Sequence, residues 1–460
     1  MARTRNALLA GVIAETGWSQ PQVAAALVRV ATENHATELM AVSRSHISMW
    51  VGGTHPEGRA AHILCETLSR RLRRPVTLGQ IGLAPLAPAT EPRPGWSVDS
   101  ISELADFGGD MSMNRRGVLA ASAYSAAGAA LPGGSWWEHT REAAKARTSL
   151  SRLTVTQGHV SAVREAMRYY SRQDQRLGGR AGRTALTAYL RTDVAAYMAG
   201  RFPTGAVRRE LVSATAELVY LAGWTAFDSG DHTTAQRSFE FALRLAAEAD
   251  NPPLAGHILR AAAHQAVDLH HPQRALALAE GSLAGARYAR ATPRERSLLS
   301  VVHARALAAT GQRTQALAAL TRADTDLASA GNHTEEPERV SFFAEASLAH
   351  ETACTLRDLG DLKGAEAAFE HSVRTRALPY ARTHAVTLGY LGEVQARQGH
   401  LDAACATWTR ALDTMAGIQS ARTRDTVIRM RSALSPLRGR GGSIAADLDQ
   451  RARTELRQVG

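Results

Sequence analysis

Cysteine is scarce in this sequence. Cys65, Cys354 and Cys405 are spread over 460 residues, with no CxxC pair and no Cys/His ligand spacing. That pattern supports neither a disulfide framework nor a zinc finger, and it fits a reducing compartment. Lysine is scarcer still: only Lys145 and Lys363 occur, and neither sits in a GxxxxGK(S/T) phosphate loop. HExxH, GxSxG and EF-hand patterns are missing too, and with them the usual marks of metalloprotease, hydrolase and calcium-site chemistry. No enzyme activity, metal or cofactor is expected. No run of about 18 apolar residues exists, so no membrane span is expected. The opening MARTRNALLAGVIAETGWSQ is interrupted by Glu15 and lacks a convincing cleavage site, so it does not read as a signal peptide and a cytoplasmic location is expected.

What is present is arginine. Lys and Arg total 54 against 43 Asp and Glu, a formal charge of +11. Such a surplus favours polyanionic partners. The abundance of Ala, Arg and Gly also suits a GC-rich genome, which is the plainer source of the same surplus. At this length one hydrophobic core is not enough, and two or three domains are expected.

The apolar pattern is helical throughout, so the expected fold class is all-α: an N-terminal helix-turn-helix domain (1–83), a linker with short helices (84–135), a helical repeat region (136–435) and a tail with a capping helix (436–460). Four prolines within residues 84–95 read as an extended, semi-rigid spacer. A short helix is expected over 100–107, with Ser100 and Glu103 as a capping box. Arg115-Arg116 before a small apolar stretch resembles a twin-arginine export signal, but it begins more than a hundred residues into the chain. There it reads better as a helix packed on the C-terminal region.

The long region repeats itself. Gly, four residues, Ala, three residues, then a large apolar residue recurs in GDHTTAQRSFEFA, GQRTQALAALTRA, GDLKGAEAAFEHS and GHLDAACATWTRA, with a degraded copy at HHPQRALALAEGS. The anchors Ala235, Ala275, Ala316, Ala365 and Ala404 are spaced by 40, 41, 49 and 39 residues. A small residue facing a large one is how two helices approach closely. This resembles the tetratricopeptide repeat, in which stacked helix pairs build a solenoid with a concave groove. Phe239, Leu320, Phe369 and Trp408 are expected as core knobs, and Gly223 and Gly392 fit the small position on the first helix of a pair. The helix over 444–459 is expected to cap the stack.

Residues 1–83 carry four helical segments. Leu8, Leu9, Val12 and Ile13 form the first apolar stripe. Ser19 and Gln22 form a capping box, with Pro21 in the first turn of a helix that buries Val23, Leu27 and Val30. Ser43 caps SRSHISMW, whose Ile47 and Trp50 turn inward and leave Arg44, Ser45, His46, Ser48 and Met49 outside. A fourth helix over 57–72 buries Ala60, Ile63, Leu64, Leu68 and Leu72. The segment holds nine arginines and five glutamates, with Arg70, Arg71, Arg73 and Arg74 clustered: a duplex-flanking grip or a solvated helix end. His46, His55, His62, His270 and His271 lack carboxylates at ligand spacing and read as exposed or capping residues.

This order resembles the helix-turn-helix domain of repressor-like bacterial regulators. Beyond it, WSQPQVAAALVRV, HISMWVGGTHPEGRAAHILCETLSRRLRRPVTLGQIGL, YYSRQDQRLGGRAGRTALTAYL and LAGWTAFDSGDHTTAQRSFEFALRLA resemble, across nearly the whole chain, cytoplasmic helix-turn-helix regulators of Streptomyces and related actinomycetes with a tetratricopeptide-like C-terminal region. The resemblance implies a transcriptional regulator, in some members tied to differentiation and antibiotic production. It implies double-stranded DNA as partner, with Arg44, Ser45, His46 and Ser48 toward base edges and Gln20 and Gln22 near the backbone. A peptide or protein effector in the repeat groove and a homodimer on paired half-sites are expected with it. One departure stands out: about ten extra residues around ATENHATELM replace the usual tight turn. A scaffold whose first domain no longer reads DNA is the alternative. The string around Asp174, Gly178 and Gly179 has no mechanism at this level.

Overall fold

The computed structural model describes residues 4–34, 36–83, 100–107, 124, 135–145, 151–331, 335–435 and 442–458. Among these every regular element is helical, and only Thr154 and Arg201 make an isolated β-bridge. The proline-rich spacer, the Arg115-Arg116 pair and residues 436–441 lie outside the described residues.

Four helices open the chain: α1 (Ala7–Glu15), α2 (Gln20–Glu33), α3 (Arg44–Val51) and α4 (Ala60–Leu72). Each start has a local cause. The Asn6 side chain accepts from the Leu9 N–H, and Gln22 Oε1 accepts from the Ser19 N–H at 2.8 Å. Helix α4 begins at Ala60 rather than 57 because Gly58 turns the chain with φ +56. Leu9, Val23, Leu27, Ile47, Ile63, Leu64 and Leu68 are fully buried together. Leu8 was expected inside but is 57% exposed. In so short a helix the stripe narrows to Leu9 and Ile13, one turn apart, and Leu8 falls beside it.

The region between α2 and α3 is not a loose insertion. A 3-10 turn at Thr37–Leu39 brings Ala36 and Leu39 into the core. Arg59 grips Glu38 through both carboxylate oxygens and donates to the Asn34 carbonyl at 3.1 Å.

After α5 (Ser100–Ala105) and α6 (Trp136–Lys145), a long α7 (Gln157–Leu177) leads through α8 (Arg183–Tyr189), a π-turn (Leu190–Val194) and α9 (Ala195–Met198) into a stack of antiparallel hairpins. The hairpins are α10/α11 (Gly205–Asp228, His232–Glu248), α12/α13 (Pro252–Asp268, Pro272–Leu283), then, after the short α14 (Ala286–Ala289), α15/α16 (Pro293–Ala309, Arg313–Ala328), α17/α18 (Glu345–Asp358, Leu362–Thr375), α19/α20 (Ala381–Arg397, Leu401–Met415) and α21/α22 (Ala421–Leu434, Gly442–Gln458). The five anchor alanines are all fully buried. They and the small residues opposite let the paired helices touch. A Cβ on Gly223 would lie 2.9 Å from the Phe239 ring, and one on Gly392 would lie 2.4 Å from Trp408 Nε1. Phe239, Phe369 and Trp408 are buried knobs. Leu320 is only half-buried, because α16 covers just Ala316, Ala319 and Ala323 and leaves its outer side to solvent. Helix α22 lays Ala445, Leu448 and Ala452 on the last hairpins. Helix α5 is fastened to α11: the Ser100 hydroxyl donates to Glu248, and Glu103 pairs with Arg244.

The 49-residue spacing between Ala316 and Ala365 also has an explanation. Its extra chain folds back over the stack. Val340 and Phe343 enter the core, and Arg339 pairs with Glu217 at 2.9 Å on α10 and with Glu295 at 2.5 Å on α15.

The stack also closes on itself. At the end of α7, Leu177 O accepts from the Gln419 N–H at 2.7 Å, and Gln419 O accepts from the Arg180 N–H. Arg382 on α19 reaches Asp174 at 2.7 Å and Asp228 at 3.3 Å. The Gly179 N–H donates to the Asp228 carboxylate at 2.8 Å. This gives the Asp174–Gly178–Gly179 string its physical role. Gly178 holds φ +88, and a Cβ there would lie 2.5 Å from Gln419 O; a Cβ on Gly179 would lie 2.4 Å from Thr225 O. Burial, helped by the neighbouring Asp228, pushes the Asp174 carboxyl up to about 6 against the pull of Arg382.

Candidate functional site

Helix α3 begins where Ser43 leaves the chain extended, and His46 completes the cap. Its Nδ1 lies 3.2 Å from the Ser43 N–H and 3.0 Å from the hydroxyl. One ring nitrogen is therefore spent inside the helix start, and the ring edge faces Trp50 at 6.4 Å. Ile47 and Trp50 anchor α3 in the core. Arg44, Ser45, Ser48 and Met49 are exposed, and His46 is half-buried. On α2, Gln22 is exposed but its Oε1 serves the Ser19 cap, while Gln20 is half-buried. The four α3 residues thus share one short helix at the surface, with the two glutamines at the start of the helix packed against it.

Charge is distributed unevenly over this domain. Four of its five glutamates are tied to arginines: Glu15 to Arg74 at 2.5 Å, Glu33 and Glu66 to Arg70, Glu38 to Arg59. Arg71 donates to the Thr16 carbonyl at 3.0 Å and lies over the Trp18 ring. Within the arginine cluster at the end of α4, Arg70 and Arg74 are spent on glutamates and Arg71 on the Thr16 carbonyl, while Arg73 is exposed and pairs with no carboxylate among the described residues. Among the described residues no carboxylate pairs with Arg44. The positive charge left unmatched lies partly on α3.

The opposite side of the domain is docked. The polar side of α4 is covered: Glu66, Thr67 and Ser69 are buried along with the apolar side. Glu66 meets His271 Nε2, at the start of α13, at 2.9 Å. Thr233 donates to Asn34 Oδ1 at 2.9 Å. The Tyr124 ring stacks on His271 at 5.4 Å. Burial pushes the Glu66 carboxyl up, but His271 and Arg70 outweigh it and hold the group below its ordinary range. The reading of His271 as exposed or capping is therefore corrected: the residue stands at the start of α13, but it is buried and its side chain makes no cap bond. Its carboxylate partner lies 205 residues away in sequence, which no local spacing reveals. Docking uses α4 and residue 34 and leaves Arg44, Ser45, Ser48 and Met49 on α3 exposed.

Among the described residues, no group of three or more His, Cys, Asp or Glu is arranged to hold a metal ion, and no helix is long and apolar enough to cross a membrane. Residues 9–84 match the family described as the SP15 N-terminal domain, a span that ends with the four-helix unit. A comparison of the whole chain with curated proteins gives no match.

Proposed function

With an SP15-type domain at its N-terminus, we propose that this chain is a DNA-binding transcriptional regulator. Helix α3 is its reading element and the helical stack behind it sets when that element is available. The observation that carries the reading is the outward side of α3, where Arg44, Ser45 and Ser48 are exposed and Arg44 has no acidic partner among the described residues. An arginine at a helix start can pair with guanine through two hydrogen bonds, and the helix N-terminus favours phosphate. Gln20 and Gln22 flank the duplex backbone in this arrangement, and His46 offers its second ring nitrogen. Two copies binding paired half-sites is the natural mode for one short reading helix. The resemblance to actinomycete regulators supports targets in differentiation or secondary metabolism, a cytoplasmic site of action and a peptide or protein effector on the helical stack. This reading assigns the chain no catalytic step.

The test is capture of genomic DNA by the tagged protein in its host, followed by binding to the recovered fragments. Affinity should fall with log salt at a slope of about −0.9 per neutralised phosphate. A flat salt response, or no enriched fragments, removes the reading. A second reading, an interaction scaffold, draws on residues 36–43: this part of the connection is packed by Ala36 and Leu39 into a spacing unlike a tight turn. Under it, full-length protein would be captured by another protein and by no DNA.

A further inference from the structure

Docking leaves a cavity of about 780 Å³ between α2 and α4 on one side and, on the other, the C-terminal ends of α10, α12, α15, α17 and α19 and the start of α21. That is the size of a small-molecule site. Its walls carry eight arginines against five carboxylates, a surplus of three positive charges. Arg70, Arg305, Arg357 and Arg429 have carboxylate neighbours. Arg29, Arg73, Arg397 and Arg422 have none within ion-pair distance among the described residues.

Two observations point inward. Arg305 is only 4% exposed, and although its terminal nitrogens bind Asp268 and Glu351, its Nε has no partner. Arg422 lies over the Phe227 ring at 5.8 Å with its Nε buried and without a partner. Arg422 is half-buried, and the carboxylates that favour its charge, Asp268, Asp228 and Glu351, lie beyond ion-pair distance. An N–H shielded from water without a partner is costly, and proteins ordinarily match such groups. Arg422 also stands in the first turn of α21, where the helix dipole adds positive potential. Arg422, Asp425 and Arg429 recur at i, i+3 and i+7, so one face of α21 addresses the cavity.

We propose that this cavity binds a small organic anion bearing two or more phosphate or carboxylate groups, with Arg422 as its principal ligand and Arg73 as its contact from the N-terminal domain. The site is walled by both parts of the molecule. A bound anion therefore bridges them and holds the N-terminal domain in its docked position. The inference is independent of DNA binding: it stands or falls with the cavity.

The experiment is calorimetric titration of the full chain with pyrophosphate and, separately, citrate, which distinguish phosphate from carboxylate recognition. One saturable site per chain is expected, together with a rise in melting temperature at saturating anion. Arg422→Gln and Arg73→Gln should each weaken binding about tenfold. Asp425→Asn removes a like charge from the cavity and should tighten binding severalfold, an opposite sign that misfolding would not produce. Failure of both anions to bind saturably overturns the proposal. So does binding that Arg422→Gln and Asp425→Asn leave unchanged, or saturation by an acidic peptide where both small anions fail.

Discussion

Arg44 and Gly179 illustrate two kinds of constraint on a single residue. Arg44 is exposed and unpaired among the described residues, so replacing it should leave folding intact. On the proposed reading, Arg44→Ala costs ~1–3 kcal/mol of affinity for the preferred DNA and relaxes discrimination at one base position. Binding-site selection with wild type and variant checks this, and equal base preference in both would count against the role. Gly179 is the reverse: it contacts nothing outside the protein, yet its missing Cβ lets two backbones meet. Gly179→Ala would put a methyl group 2.4 Å from Thr225 O. Such overpacking is expected to cost about 1–3 kcal/mol in denaturant unfolding. An unchanged midpoint would mean the turn relaxes freely.

At the scale of the element, α3 is eight residues long and depends on its cap and two anchors. A helix that short is marginal alone, so tertiary packing holds it. Ser43→Ala removes the hydroxyl of the capping box and is expected to cost about 1 kcal/mol. Amide exchange should rise first in α3, ahead of α2 and α4; uniform exchange across the four helices would show that α3 does not open alone. The sequence made this helix legible because Ser43, Ile47, Trp50 and Gly52 mark its start, face and stop within ten residues of one another. The hairpin stack was legible for the same reason: Gly, Ala and a large apolar residue recur at fixed offsets. The ion pairs of the α4 arginines were not legible. Arg74 finds Glu15 and Arg70 finds Glu33 only after the helices pack.

For the whole molecule, two contacts decide the arrangement. Arg382 closes the stack by meeting two buried carboxylates. Arg382→Met leaves Asp174 and Asp228 uncompensated and should destabilise the protein by ~3–5 kcal/mol in denaturant unfolding. A loss under 1 kcal/mol would show that the backbone bonds of Gln419 suffice. The second contact docks the N-terminal domain. Glu66 lies below its ordinary 4.5 when docked. The part of that lowering that belongs to docking comes from His271, since Arg70 lies in the same helix. The His271 contact contributes while the carboxylate is charged, and its contribution drains away as pH falls through the lowered docked value. Undocking in acid is therefore expected, read by energy transfer between dyes placed through Leu8→Cys and Leu378→Cys at exposed sites. Glu66→Gln should weaken docking at neutral pH and flatten its acid dependence. An identical acid response in wild type and variant would assign the titration elsewhere.

The sequence by itself determined the helices, their caps, the paired-helix repeat and the outward residues of α3, because each is set by neighbours within one or two turns. Tertiary structure decided what lies between them: the closure through Arg382 and Gly179, the burial of Glu66 on His271, and the arginine-lined cavity beside the docked domain. Those contacts join residues up to some two hundred positions apart. Their energy depends on burial and exact approach, which no local pattern encodes.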